Sequence, residues 1–169
     1  LTEDRKSQGL LLDRSVRENF GLANLDHFSW KGFLREGKER KAFATYVDSL
    51  RIRIPHQEQL ARHLSGGNQQ KVVLARWLER NAEVIIFDEP TRGIDVGAKY
   101  EIYQLMNRLA AEGKVIIMIS SELPEVLGMS DRVIVMHEGR IRGEITDPAH
   151  VTQEEVLEIA MGQSRRSAA

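Results

Sequence analysis

An apolar run that ends in two acids, Val84-Ile85-Ile86-Phe87 followed by Asp88 and Glu89, restricts the fold of this chain more than any other feature. Four apolar residues bounded by polar ones are typical of a buried strand, so the two acids fall at its carboxyl end. Open α/β sheets bind their ligands beyond the carboxyl ends of their strands. The run therefore predicts an α/β protein with a polar site at one edge of a sheet.

The two acids have the chemistry that a magnesium nucleotide needs. Asp88 can hold magnesium, usually through a water molecule, and Glu89 can orient or deprotonate the water that attacks a terminal phosphate. An acidic cap on an ordinary core strand has the same sequence. Taken alone, this motif leaves both interpretations open.

A second motif, Ser65-Gly66-Gly67, precedes a predicted helix from Asn68 to Arg80. Glycines let backbone N–H groups approach an anion closely, and a helix N-terminus directs partial positive charge at it. An ordinary turn before a helix would also have such a sequence. The motif gains weight because the strand that carries the two acids follows the same helix.

The predicted elements divide the chain near residue 80. The first part contains helical patterns and no obvious strand. These helices are predicted at Ser15–Asn24, Gly37–Asp48, Pro55–His63 and Asn68–Arg80. From Glu83 onwards strands and helices alternate, which implies a parallel strand pair with a helical crossover, then a hairpin and a last helix with a capping box. The elements are predicted at Val84–Phe87, Val96–Ala111, Val115–Ile119, Pro124–Gly128, Arg132–His137, Arg140–Ile145 and Thr152–Met161.

The order and spacing of these motifs resemble the ATP-binding cassette (ABC) ATPases. The resemblance rests on LSGGNQQK at 64–71, VIIFDEP at 84–90 and Gly93-Ile94-Asp95. In that family the first is the signature, the second is the Walker B motif, and Asp95 matches the D-loop aspartate. One branch looks closest, the second nucleotide-binding domain of the tandem ATPases of bacterial ribose, galactose and xylose importers. Its motifs are EDRK at 3–6, SVREN at 15–19, EPTRGIDVGAK at 89–99 and SSELPEVLGMSDRVIVMHEGRI at 120–141, so the resemblance covers essentially the whole chain.

The resemblance implies a fold and a division into parts. The fold is α/β, a partial P-loop NTPase of the ABC type with an N-terminal α-helical subdomain, a parallel strand core and a C-terminal hairpin plus helix. Residues 1–80 would form the helical signature subdomain with a Q-loop remnant. Residues 81–162 would form the RecA-like catalytic half, and residues 163–169 a tail.

The resemblance also assigns roles to single residues. ATP would be contacted by Ser65, Gly66, Gly67, Asn68, Asp95 and Glu3, Mg2+ would be held by Asp88 and Glu3, and the catalytic residues would be Glu89 and Ser121. Two of these depart from the commonest residues of the family, because Glu3 stands in place of the Q-loop glutamine and Ser121 in place of the switch histidine. Serine donates a hydrogen bond but carries no positive charge, which implies weaker stabilisation of the transition state. Ser120 and Ser121 would also cap the following helix.

The phosphate-gripping loop of such ATPases, G-x-x-x-x-G-K-[ST], has no match within the 169 residues. The nearest imitation runs from Gly32 to Glu39, and it has an acid where a magnesium-binding hydroxyl is required. It also lies too close to Leu64 for the family arrangement. The sequence thus favours a chain that begins just after the true phosphate loop, with an open side to its sheet and poor binding of Mg-ATP when alone.

Composition narrows the classes of function. The chain has no cysteine, which excludes disulfides and thiolate metal sites, and its 5 histidines show no paired ligand spacing. No apolar run has the length of a membrane span. Residues 1–80 carry 15 Lys and Arg against 10 Asp and Glu, but these charges mix along helices without an aromatic-basic ladder. A solvated helical surface is therefore favoured over nucleic-acid binding.

The resemblance finally implies partners and a place in the cell. The partners would be a second nucleotide-binding domain in a head-to-tail dimer, membrane permease subunits and, indirectly, a sugar-binding protein, with no nucleic acid. The protein would be cytoplasmic and peripheral on the inner membrane through the permease. Two alternatives stay open, a non-catalytic regulatory or interaction fragment that keeps the fold, and an ABC ATPase of DNA repair or translation. For the latter, coiled-coil heptads or basic arms would be expected, and the sequence shows neither.

Overall fold

The computed structural model describes residues 9–162, so Glu3, the predicted Q-loop position, lies outside the described residues. The helices are α1 (Val16–Gly21), α2 (Leu25–Phe28), α3 (Glu36–Ser49), α4 (Gly66–Leu78), α5 (Val96–Ala111), α6 (Leu123–Met129) and α7 (Gln153–Ala160). The strands are β1 (Ser29–Trp30), β2 (Phe33–Leu34), β3 (Val84–Asp88), β4 (Val115–Ile119), β5 (Val133–His137) and β6 (Arg140–Ile145). The chain divides into two compact units between Ile117 and Met118.

An aromatic cluster forms the centre of the helical region in the first unit. Helix α1 starts with a capping box, because the Ser15 hydroxyl accepts the N–H of Glu18 while the Glu18 carboxylate accepts the N–H of Ser15. The Phe20 ring of α1 is fully buried, with ring centroids 5.6 Å from Phe28 and 5.0 Å from Phe43. Helices α3 and α4 pack against α1 around this cluster.

The structure corrects the prediction that this region contains no strand. Strands β1 and β2 form a hairpin in which Trp30 pairs with Phe33. The two turn residues between them, Lys31 and Gly32, both have positive φ, as a type I′ turn requires. Strands of two residues are too short to show a period-two pattern, which is why the sequence did not indicate them.

The predicted helix Pro55–His63 is also wrong. Only Ala61–His63 forms a short 3₁₀ turn. The residues before it run along α1 instead, since the N–H of Val16 donates to the Gln59 carbonyl at 2.9 Å and the N–H of Arg17 donates to the Gln57 carbonyl at 3.1 Å. Bonds to α1 replace the hydrogen bonds that a helix would have made.

Strands β3 and β4 form a two-stranded sheet joined through α5. The N–H of Val115 donates to the carbonyl of Glu83 at 2.8 Å, so the two strands start side by side, as in a parallel pair. Phe87 is fully buried, whereas Val84 and Ile86 on the opposite face of β3 are 51% and 49% exposed. Parallel sheets are normally covered on both faces, so this face of the sheet is unusually exposed. The open side predicted from a missing neighbouring strand stays a prediction.

The second unit consists of a hairpin and the helices packed on it. Strands β5 and β6 pair antiparallel on either side of Glu138 and Gly139, as predicted. Helix α7 starts with the predicted capping box of Thr152 and Glu155. The core of this unit consists of Val133, Val135, Ile145 and Val156.

The units differ from the predicted division after residue 80, because α5 packs with the helical region. A Lys71–Glu101 ion pair connects α4 to α5 within the first unit. The boundary at residue 80 marks the change from a helical to an alternating pattern, and as a subdomain boundary it stays a prediction. Within residues 9–162, no helix is both long enough and apolar enough to cross a bilayer.

Candidate functional site

The turn at Ser65 starts α4 and presents unpaired donors. Ser65 is exposed and extended, and its hydroxyl accepts the N–H of Asn68 at 3.4 Å. Gly66 and Gly67 supply the first two N–H groups of the helix, which have no acceptor within a helix. Neither group makes a hydrogen bond to any of residues 9–162. Gly67 is buried and Gly66 is partly exposed, so the exposed Ser65 hydroxyl and the free N–H of Gly66, at the start of a 13-residue helix, are the groups that suit an anion.

The side chain of Asn68 is already engaged within the chain. Its amide donates to Ser65 Oγ at 3.1 Å, and its carbonyl oxygen accepts the N–H of Arg53 at 2.9 Å. These bonds connect the Ser65 turn to the segment after α3. The nucleotide contact predicted for Asn68 stays a prediction, and one amide hydrogen and one lone pair remain for it.

The starts of α4 and α5 lie against each other. A Cβ atom on Gly67 would lie 2.9 Å from the Cβ of Ala98 and 3.8 Å from Asp95 Oδ2. Only glycine fits at the first of these distances without a shift of the backbone. Asp95 is the N-cap of α5, because its Oδ1 accepts the N–H of Ala98 at 2.9 Å. The structure thus brings Gly67 and Asp95, predicted from separate motifs, to one surface.

A partly buried ion pair also connects α4 to α5, and it could not be read from the sequence. Lys71 is only 7% exposed, and its Nζ pairs with the Glu101 carboxylate and donates to the Arg51 carbonyl at 3.1 Å. A buried ammonium group requires such partners, because an unpaired charge is costly inside a protein. The only signal in the sequence was a lysine followed by the apolar run Val72–Ala75.

The end of β3 is strained at the predicted catalytic residue. Asp88 is half-buried as the last residue of the strand, and Glu89 follows with a φ of 45°. A left-handed φ is uncommon for a residue with a side chain, and the residue before a proline is normally extended. The N–H of Arg92 donates to the Glu89 carbonyl at 3.2 Å and closes the turn. Strain of this kind concentrates at functional sites, and no sequence pattern predicts it here.

In the second unit, Ser120 and Ser121 precede α6, and neither of them caps this helix. Ser120 Oγ accepts the N–H of Glu122 at 3.0 Å and donates to the Glu125 carboxylate. Ser121 is exposed and makes no hydrogen bond to any residue in the described part of the chain. The N-cap residue of α6 is Glu122 and no side chain caps this helix, so the cap predicted for Ser120 and Ser121 is wrong for both. The predicted contact of Ser121 with a γ-phosphate stays a prediction.

The imitation of a phosphate loop at residues 32–39 has no loop geometry. Gly32 belongs to the β1–β2 turn, and Lys38 lies in the first turn of α3. Glu39 is buried in an ion pair with Arg17. Burial raises the pKa of the Glu39 carboxyl, which Arg17 partly opposes. Glu39 stands where a phosphate loop has its magnesium-binding hydroxyl residue, and its carboxylate is buried and paired with Arg17 instead.

A comparison with protein families matches residues 5–92 to the ABC transporter model. The matched residues are more than half of the chain, and they include Ser65–Gly67 and the two acids. The ribose import ATP-binding protein RbsA of Bacillus subtilis (strain 168) is 56% identical over 162 residues, which are 96% of this chain and 33% of that protein. The protein of the same name from Oceanobacillus iheyensis is 56% identical over 163 residues, 96% of this chain and 32% of that protein. The chain thus spans about one third of the length of these curated relatives.

Solved structures show the same fold. A dimeric ATP-binding cassette in a post-hydrolysis state, bound to ADP and Pi, superposes with a TM-score of 0.68 at 25% identity, covering 80% of this chain and 58% of that chain. The ADP conformation of another ATP-binding cassette of an ABC transporter has a TM-score of 0.68 at 28% identity, covering 90% of this chain and 64% of that chain. The chain has a mixed α/β structure that corresponds to part of such a cassette, which has the P-loop NTPase fold.

Proposed function

The chain belongs to the ABC transporter family, and on this premise we propose that it is part of the ATP-hydrolysing subunit of a bacterial importer for ribose or a similar sugar. The cargo is inferred from the 56% identity to a ribose import protein over 96% of this chain. One structural observation carries the ATPase role. Gly67, which is buried against Ala98, brings the start of α4 close to the exposed Asp95, and the exposed Ser65 hydroxyl and the free N–H of Gly66 suit the phosphates of ATP.

The residues of the site fit ATP and Mg2+. The start of α4 offers donors to phosphate oxygens, and the end of β3 offers the carboxylates of Asp88 and Glu89. Carboxylate oxygens are the ligands that Mg2+ prefers, and magnesium neutralises charge on the phosphates when bound. Glu89 would accept a proton from, or orient, the attacking water. Glu3 and Asn68 remain proposed ligands of the same nucleotides.

These groups would serve two different ATP molecules. Ser65, Gly66 and Gly67, with Asp95, would close on an ATP held by the partner nucleotide-binding domain. Asp88, Glu89 and Ser121 would serve a second ATP, which also needs a phosphate loop from outside these 169 residues. Because Ser121 carries no positive charge, the second site would be slow or regulatory, and the contribution at Ser65–Gly67 would matter more.

The proposed partners follow from this role. They are a second nucleotide-binding domain in a head-to-tail dimer and permease subunits, with a sugar-binding protein acting through the permease. The helical region and the segment after Glu3 would contact the permease. The protein would then work in the cytoplasm, on the inner face of the membrane.

ATP hydrolysis by reconstituted mixtures tests the proposal. We expect negligible turnover by this chain alone and measurable turnover when it is combined with the polypeptide that carries the phosphate loop and the partner domain. Glu89→Gln should lower the rate of the mixture, whereas Glu112→Gln, an exposed acid at the end of α5, should leave it unchanged. Full turnover by the chain alone would overturn the two-site scheme. No turnover in any mixture would favour a non-catalytic regulatory fragment.

A further inference from the structure

The β1–β2 hairpin presents two large aromatic side chains to solvent. Trp30 is 61% exposed and Phe33 is 77% exposed. They are direct cross-strand partners, and such partners project from the same face of an antiparallel pair. Every residue from Ser29 to Lys38 is exposed. Apolar groups gathered in this way, rather than scattered singly, indicate a surface that binds something.

The hairpin is fixed at both ends. At its base, the N–H of Arg35 donates to the carbonyl of Phe28 at 2.7 Å, and the Phe28 ring is fully buried against Phe20. At its tip, the positive φ of Lys31 and Gly32 sets the tight turn. The two aromatic side chains are therefore presented by a defined ribbon.

The charges around the rings are mainly positive. Lys31 Nζ lies 4.8 Å from the centroid of the Trp30 ring. At the base of the hairpin, Lys38 Nζ donates to the His27 carbonyl at 2.7 Å and lies 5.8 Å from the centroid of the buried Phe28 ring, with hydrogens left for other acceptors. Lys31 and Arg35 form no ion pair with any of residues 9–162.

Two acids near the hairpin form ion pairs with arginines outside it. Glu39 pairs with Arg17 in the interior, and Asp26 pairs with Arg80 at 2.6 Å. The Arg80 hydrogen bond lowers the pKa of the Asp26 carboxyl, so that acid stays charged and paired. Glu36 is the exposed acid that remains between Ser29 and Lys38. The hairpin surface therefore has aromatic rings and a net positive charge.

This combination matches the headgroup region of a bilayer that contains anionic lipids. Tryptophan favours the boundary between apolar and wet phases, and Lys and Arg near the surface are attracted to anionic headgroups. The hairpin spans only six residues, whereas a stable protein interface uses about 20–30 residues on each side. Attachment to lipid scales with the apolar area inserted plus the attraction to anionic headgroups, so two rings and several cations would give weak, reversible binding.

We propose that the β1–β2 hairpin binds an anionic membrane surface. Trp30 and Phe33 enter the headgroup region, while Lys31, Arg35 and Lys38 contact lipid phosphates. This binding requires neither ATP nor a permease, so it goes beyond the proposed ATPase function and can fail or hold independently of it.

Tryptophan fluorescence of the whole 169-residue chain tests the proposal directly. The chain has 2 tryptophans, so Trp77→Phe leaves Trp30 as the single reporter. We expect a blue shift and weaker acrylamide quenching with vesicles of phosphatidylcholine and phosphatidylserine, and no change with phosphatidylcholine alone. High salt should reverse the shift, because the attraction is screened. No shift with either vesicle, or an equal shift with both, overturns the proposal.

Matched variants distinguish vesicle binding by the hairpin from nonspecific binding by exposed aromatic side chains. Vesicle sedimentation of Lys31→Gln/Arg35→Gln/Lys38→Gln should show partitioning at least about tenfold weaker than wild type. Phe33→Ser should also weaken it, whereas Tyr100→Ser, which removes an aromatic ring with 62% exposure on α5, should not. Equal losses for Phe33→Ser and Tyr100→Ser would overturn the proposal. Binding to purified permease subunits without binding to vesicles would overturn it in favour of a protein partner.

Discussion

A glycine is required at position 67 because of its contact with Ala98 on α5, rather than because of the turn that contains it. Its missing side chain leaves room for Ala98, and the same contact places Asp95 beside the start of α4. Motifs that are 28 positions apart in the sequence therefore form one surface, and a side chain at Gly67 would push them apart.

Gly67→Ala should destabilise the chain by about 1–3 kcal/mol, because the new methyl group overlaps the Cβ of Ala98. Urea unfolding measures this. The double variant Gly67→Ala/Ala98→Gly should recover most of the loss, since it returns the space to the contact. Gly37→Ala is the control, because nothing lies within 4 Å of a Cβ at Gly37. If the two glycine variants are equally stable, the close contact is not present in solution.

At the scale of elements, Arg17 connects three segments of the helical region. Its guanidinium pairs with Glu39 of α3 in the interior and donates to Glu58 at 2.8 Å on the segment before the 3₁₀ turn. This explains why Pro55–His63 is not helical, since that segment is bound to α1 by side chains as well as by backbone hydrogen bonds.

The Arg17–Glu58 pair should make stability fall in acid. The hydrogen bond from Arg17 lowers the pKa of the Glu58 carboxyl below its ordinary value of 4.5. A depressed pKa in the folded state stabilises the protein above pH 4.5, and this contribution is lost as pH falls through the folded-state pKa. Glu58→Gln should therefore flatten the pH dependence of the unfolding free energy below pH 4.5. At pH 7 it should lower the unfolding free energy itself. Glu112→Gln is the exposed control, and an unchanged acid limb for Glu58→Gln would argue against the pair.

The elements predicted best from the sequence are those with a long hydrophobic pattern or a local capping motif. Helices α4 and α5, strands β3 and β4 and the Thr152–Glu155 capping box lie within a few residues of their predicted positions. The β1–β2 hairpin was missed because its strands have two residues each, and the Pro55–His63 helix failed because tertiary hydrogen bonds overrode local propensity.

The roles of the candidate site residues stay predictions. The resemblance to the ABC family singled out Ser65–Gly67, Asp88, Glu89 and Asp95, and the structure places Gly67 close to Asp95. Their spatial relations were not predictable, because the Gly67–Ala98 contact and the partly buried Lys71–Glu101 pair connect residues that are about 30 positions apart. The positive φ of Glu89 depends on the turn that follows β3, and residue types alone do not encode it.

At the scale of the whole molecule, the β3–β4 sheet exposes apolar side chains that a parallel sheet normally covers. Val115 and Ile117 of β4 are 55% and 45% exposed, similar to Val84 and Ile86 of β3. The face formed by these residues favours either association of the chain with itself or covering by another polypeptide.

The exposed sheet face should make the isolated chain self-associate. Ile86→Thr/Ile117→Thr should lower the sedimentation coefficient at high concentration and weaken binding of a hydrophobic dye. Because both side chains are about half exposed, the unfolding free energy should change by less than about 1 kcal/mol per site. If the wild-type chain stays monomeric at every concentration and binds no dye, this face does not mediate self-association.

The central claim is that the start of α4 acts on ATP held by a partner domain, and the ATPase rate of the reconstituted pair with substituted Ser65 tests it most directly. Ser65→Asp and Ser65→Asn both keep a good N-cap for α4, but only the aspartate adds a negative charge where phosphate would bind. The account predicts a rate at least about tenfold lower for Ser65→Asp than for Ser65→Asn, with equal melting temperatures. Equal rates for the two variants would contradict the claim that this turn contacts the nucleotide.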